Sequence, residues 1–233
     1  MSDGQAIHVL KGVLNRLRSQ PGERDHWDAA RARVVREEAL ARYGLLLSPE
    51  RVAGIDKDRF LRFLRDENRQ HTMGLGRGVS MTADMPRLRE ALAVLVDERL
   101  PLAARLDRLR PPGGVPMVKG LGPSVITAFL HFVDPQRYGI LNGASERVMR
   151  RLGLYPDLPT TASLAERYEA VNRVLLRVAS ALGVDLGLLD ALWWRVQPQA
   201  LADFGARGPG AADAGPGANL RVKGVAESVR IGI

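Results

Sequence analysis

Apolar residues recur three and four positions apart over most of the chain, the period of a helix with one buried face. Ile7, Val9, Leu10, Val13, Leu14 and Leu17 predict a helix over residues 5–18, which Pro21-Gly22 ends. Asp25 caps a second over 27–43, with Ala29, Val34, Val35, Ala39 and Leu40 inside. Ser48-Pro49-Glu50 opens a short helical turn with Pro at its first position, and Asp56 caps a helix carrying Phe60, Leu61, Phe63 and Leu64. Thr82 or Asp84 caps the next, with Leu88, Ala91, Leu92, Leu95 and Val96 inside. Pro101 starts another that ends near Arg110, before Pro111-Pro112-Gly113-Gly114. Two more follow over 163–182 and 185–196, the first burying Tyr168, Val171 and Leu175, the second Leu189, Leu192 and Trp193. The expected fold class is all-α.

Glycine divides this pattern in two places. Gly74, Gly76 and Gly78 surround Arg77 in residues 73–80, which predicts an exposed connector. No strand precedes these glycines, so they do not read as a dinucleotide fingerprint. From Phe204 onward Gly and Pro replace core residues, which predicts a mobile tail over 204–233 whose last residues, 220–233, are of more mixed composition. The expected organisation is an N-terminal helical part over 1–98, a second helical part over 99–203 packed with it as one unit, and the tail.

Composition narrows the function classes. Aromatic residues make up 5% of the 233, too few for an all-β fold without alternating β-branched runs. There is no cysteine, which excludes disulfides, thiolate zinc and cysteine-held iron–sulfur clusters. His8, His26, His71 and His131 have no metal-ligand spacing, and no cofactor is expected. No apolar run is long enough to span a bilayer, and the N-terminus lacks a signal-peptide layout, so the expected location is the cytoplasm. The net charge of +8 favours a polyanionic partner, although arginine-rich composition bias produces the same excess.

The middle segment carries the most specific motif. Val118-Lys119-Gly120-Leu121-Gly122 is followed by Pro123, Ser124 and an apolar helix over 125–132. Two glycines around an apolar residue let the backbone turn tightly and approach a ligand, and the free amides of Gly122 and the first helical turn are expected to point outward and hold a phosphate oxygen. Downstream, Ile140-Leu141-Asn142-Gly143-Ala144 leads into Arg147-Val148 and Arg151-Leu152-Gly153-Leu154. The hairpin, this second run and the spacing between them resemble the helix-hairpin-helix DNA glycosylases, over roughly residues 100–155. The resemblance implies DNA held by its backbone through Lys119, Gly120, Leu121, Gly122 and Ser124, with Arg147, Arg150 and Arg151 beside them. Arg105, Arg108 and Arg110 precede the hairpin and are expected either on that surface or on a solvated face.

The same resemblance exposes what is missing. The family's aspartate, which assists expulsion of a damaged base, falls on Asn142, and the lysine of its bifunctional members falls on Ser124. An amide cannot ionise as a carboxylate does, and a hydroxyl cannot form a Schiff base. Asn142 instead suits the N-cap of the helix that follows. Glu146 and Asp134 are the fallback acids, each expected to pair with a nearby arginine such as Arg137, Arg147 or Arg150. His131 is expected to be a half-buried packing residue, and Trp193-Trp194 to serve core and edge packing. The implied function is sequence-independent DNA binding on a catalytically degenerate glycosylase-like fold. The alternatives are an active glycosylase with a displaced acid and a protein-interaction module that has lost DNA.

Overall fold

A computed structural model of the chain describes residues 1–19, 37, 38, 41, 44–71 and 80–196. Most of the expected second helix, residues 73–79 of the expected connector over 73–80 and the tail over 204–233 lie outside the described residues, and Ser80 is helical. Among the described residues the fold is all-α, with no strand. Its helices are α1 (Asp3–Ser19), α2 (Pro49–Val52), α3 (Lys57–His71), α4 (Met85–Val96), α5 (Leu102–Leu109), α6 (Pro123–Val133), α7 (Gly143–Arg151), α8 (Leu164–Leu182) and α9 (Leu186–Arg195). A short 3-10 turn, Gly44–Leu47, precedes α2. No helix among the described residues is long and apolar enough to cross a membrane.

Local signals set most helix starts. Asp56 accepts the Arg59 amide at 2.8 Å, and Asp84, not Thr82, accepts the Arg87 amide at 2.9 Å. Ser163 and Glu166 form a reciprocal capping box at the head of α8, and Asp185 accepts the Leu188 amide at 2.7 Å at the head of α9. Such a cap satisfies a backbone donor that the helix itself leaves open, and contributes about 1 kcal/mol.

One apolar cluster runs from Ala6 in α1 to Val196 after α9. The long helix α8 packs against α1, α5 and α9, and α4 packs against α2, α5 and α6. Aromatic rings join α3 to α6: Phe63 meets Phe132 edge-on at 5.0 Å between centroids, and Phe60 meets Phe129 in the same manner at 5.9 Å. Edge-to-face pairs suit the ring quadrupoles and fix the roll of α6 against α3.

Polar groups in the core hold the loop between α6 and α7. Asn172 of α8 accepts the Gly139 amide at 2.7 Å and donates to the Arg137 carbonyl at 2.9 Å. Tyr168, one turn earlier, donates its hydroxyl to the Gly139 carbonyl at 2.8 Å. Burial, reinforced by nearby Tyr138, pushes the Tyr168 hydroxyl well above the usual phenol range. His131 Nδ1 donates to the Tyr138 carbonyl at 2.7 Å, and the residue is 4% exposed, so it is fully rather than half buried. Each bond pairs a loop group that burial would otherwise leave without water.

Candidate nucleic-acid interface

The hairpin turns at Gly120, whose φ of +88° favours glycine because a side chain there crowds its own backbone. Leu121 donates its amide to the Val118 carbonyl at 3.2 Å. The Leu121 side chain is 1% exposed, so only its backbone can face a ligand. The Gly122 amide does not point outward as the sequence suggested: it donates to the Gly120 carbonyl at 2.9 Å, closing the turn. Val125 and Ile126 both donate to the Gly122 carbonyl at 3.0 Å, and Pro123 has no N–H. That leaves Ser124 as the amide of the first turn without a protein acceptor among the described residues. No side chain caps α6, in contrast to α4, α7, α8 and α9. Lys119 is exposed beside this open end.

Thr127 joins the start of α6 to the start of α7. Its hydroxyl accepts the Leu141 amide at 3.0 Å and lies 3.3 Å from the carbonyls of both Ser124 and Leu141. Ser124 and Asn142 therefore sit at neighbouring helix ends.

Asn142 caps α7. Its side-chain oxygen accepts the amides of Ala144 and Ser145 at 2.9 and 3.0 Å, and the Ser145 hydroxyl accepts the Asn142 amide at 2.9 Å. Its Nδ2 donates to Asp190 Oδ1 of α9 at 2.8 Å. The side chain is thus committed on both ends, with no atom placed to take a proton from a nucleophile.

The fallback acids are committed too. Glu146 accepts the Tyr155 hydroxyl at 2.9 Å and lies 3.6 Å from Arg150, whose guanidinium covers the Tyr155 ring at 3.7 Å. Burial first, then the Glu146 hydrogen bond and charge, push the Tyr155 hydroxyl above its usual value, opposed by Arg150 and Arg167. Among the described residues Asp134 does not pair with an arginine side chain as expected. It accepts the backbone amides of Gln136 and Arg137 at 3.0 and 3.1 Å, turning the chain after α6, while the Arg137 side chain reaches Glu98 at 3.5 Å.

The basic residues do not form one patch. Arg147, Arg150 and Arg151 are exposed on α7. Arg105 is 2% exposed: its Nη1 donates to the Leu95 carbonyl at 2.9 Å and its Nη2 to the Tyr138 hydroxyl at 3.1 Å. It holds the loop from inside and is unavailable to DNA. Arg108 lines an open groove of about 970 Å³ together with Glu50, Glu90, Asp97, Glu98, Asp134 and Arg99, where Glu90, Asp97 and Glu98 pair with Arg87, Arg99 and Arg137. Trp193 is 2% exposed in the core, whereas Trp194 is 44% exposed.

Sequence reading passed over two residues of this region, Asp190 and Asn172. A signal for both was present, since each occupies an apolar stripe: Asp190 with Leu186, Leu189 and Trp193, and Asn172 with Tyr168, Val171 and Leu175. A polar residue on a buried stripe requires a partner. No family model matches the chain, and no curated protein or solved structure matches it either.

Proposed function

We propose that the chain is a sequence-independent DNA-binding protein of helix-hairpin-helix type, related in plan to the DNA glycosylases but without their catalytic groups. The observation that carries this reading is the open N-terminus of α6. It follows a glycine turn, has no side-chain cap, keeps the Ser124 amide free of protein acceptors among the described residues, and has exposed Lys119 beside it. A helix end of this kind offers a phosphate oxygen a backbone donor and the positive end of the helix dipole. Phosphate contacts of this type fix position on a duplex without reading its bases.

Titrating duplex DNA against the protein across a salt series tests the reading. Affinity should fall steeply as salt rises, for duplexes of any sequence. Lys119→Glu should weaken binding about tenfold and lower the salt slope by about one, because one phosphate contact is replaced by repulsion. Affinity unchanged in the folded variant would remove the hairpin from the interface.

Catalysis is expected to be absent. Protein with Asn142 verified intact should release no base from duplexes carrying oxidised, alkylated or deaminated bases. Loss of a preorganised charged group costs about 3 kcal/mol or more of transition-state stabilisation, and Asn142, Glu146 and Asp134 are all held in structural bonds. Robust turnover by intact protein would refute the degenerate reading.

A further inference from the structure

The contact between Asn142 and Asp190 has a chemical consequence that is independent of DNA binding. Asn142 precedes Gly143, and an asparagine followed by glycine is open to attack on its side-chain amide by the next backbone nitrogen. Gly143 is exposed, nothing lies within 4 Å of the place its Cβ would occupy, and its amide has no protein acceptor among the described residues. The restraint is on the asparagine side. Two amides hold Oδ1, and Asp190, itself 3% exposed, holds Nδ2 at 2.8 Å.

We propose that Asn142-Gly143 is a deamidation site guarded by Asp190, and that deamidation, once it occurs, removes the amide hydrogen bond that ties α7 to α9. In the reaction the Gly143 nitrogen bonds to Asn142 Cγ while the Cγ–Nδ2 bond breaks. Nδ2 leaves as ammonia with the proton lost from the Gly143 nitrogen. Water then opens the succinimide ring to aspartate or isoaspartate. The attack requires the side chain to leave its cap and its bond to Asp190, so it proceeds from locally opened molecules.

The same carboxylate that guards the amide opposes the product. Aspartate is as good an N-cap as asparagine, and the dipole of α7 favours a negative charge at its head, so α7 alone would accept the change. Across the contact, an oxygen of the new carboxylate would face Asp190 Oδ1 where Nδ2 stood at 2.8 Å. Two carboxylates at that separation cannot both keep their charge without large cost, and neither donates to the other when ionised. The product can rebuild a hydrogen bond there only by holding a proton between the two carboxyls, which the amide did not require.

Mass spectrometry of the Asn142 peptide in folded protein, in protein held unfolded in denaturant, and in Asp190→Ala tests the guard. Conversion should be about a hundredfold slower folded than unfolded, and about tenfold faster in Asp190→Ala than in the wild type. Equal rates in folded and unfolded protein would overturn the proposal. A melting comparison of Asn142→Asp with the double variant Asn142→Asp/Asp190→Asn tests the consequence without relying on Asp190→Ala. The single variant should melt about 5 °C below the wild type. The double variant restores a donor opposite a carboxylate and should regain about half of that loss or more. Wild-type melting of the single variant, a double variant no more stable than the single, or failure of both to fold would each overturn the proposal.

Discussion

Replacing Arg105 with alanine is expected to destabilise the protein by about 4 kcal/mol in a denaturant titration. The residue is 2% exposed, and its stem and guanidinium fill space between α4, α5 and the loop after α6. Truncation leaves a cavity, and it strips partners from the Leu95 carbonyl and the Tyr138 hydroxyl in a place water does not reach. Two variants separate these effects. Arg105→Met fills most of the volume without the donors and should cost about half as much. Tyr138→Phe removes one hydroxyl and should cost about 1 kcal/mol. Equal stability of Arg105→Ala and wild type would place the side chain outside the core.

Gly139→Ala is expected to cost about 3 kcal/mol, from one added methyl group. A Cβ at this position would lie 2.6 Å from Leu175 Cδ1, 3.1 Å from Leu175 Cβ and 3.3 Å from Asn172 Oδ1. Gly139 is not among the positive-φ glycines, so its requirement is space rather than backbone conformation. Relief requires the loop to move away from α8, which lengthens the Asn172 bond to its amide and the Tyr168 bond to its carbonyl. Leu175→Ala in the same chain should return part of the loss by removing Cδ1, the nearest obstructing atom, so that the two costs are less than additive. Additive costs would show that Gly139 and Leu175 do not press on each other.

The hairpin and its neighbour show how far the residues themselves lead. Asn142 reads as an N-cap from its place before a helical period, and it is one. The Gly120 turn reads as a tight corner, and its backbone is left-handed. Both are local features, decided by groups within three residues of each other. The direction of the Gly122 amide was misread because two routes are open to it, outward to a ligand or back to Gly120, and the helical pattern contains neither. Arg105 was grouped with exposed arginines by its proximity to Arg108 and Arg110. Its placement with Leu106 and Leu109 on the inner face of α5 was the better guide.

The sequence by itself determined the all-α class, the helix periods and the caps at Asp56 and Asn142, and narrowed the cap of α4 to Thr82 or Asp84. These follow from side-chain spacing and from hydrogen bonds that span a few residues. Only the tertiary structure decided that Asp190 meets Asn142 across 48 positions, that Asn172 grips the loop 33 positions earlier, and that Arg105 turns inward to Tyr138. A helical stripe states that a polar group will be buried, but not which group on another helix will answer it. That choice depends on how the helices cross, and the crossing is set by the packing of the whole core.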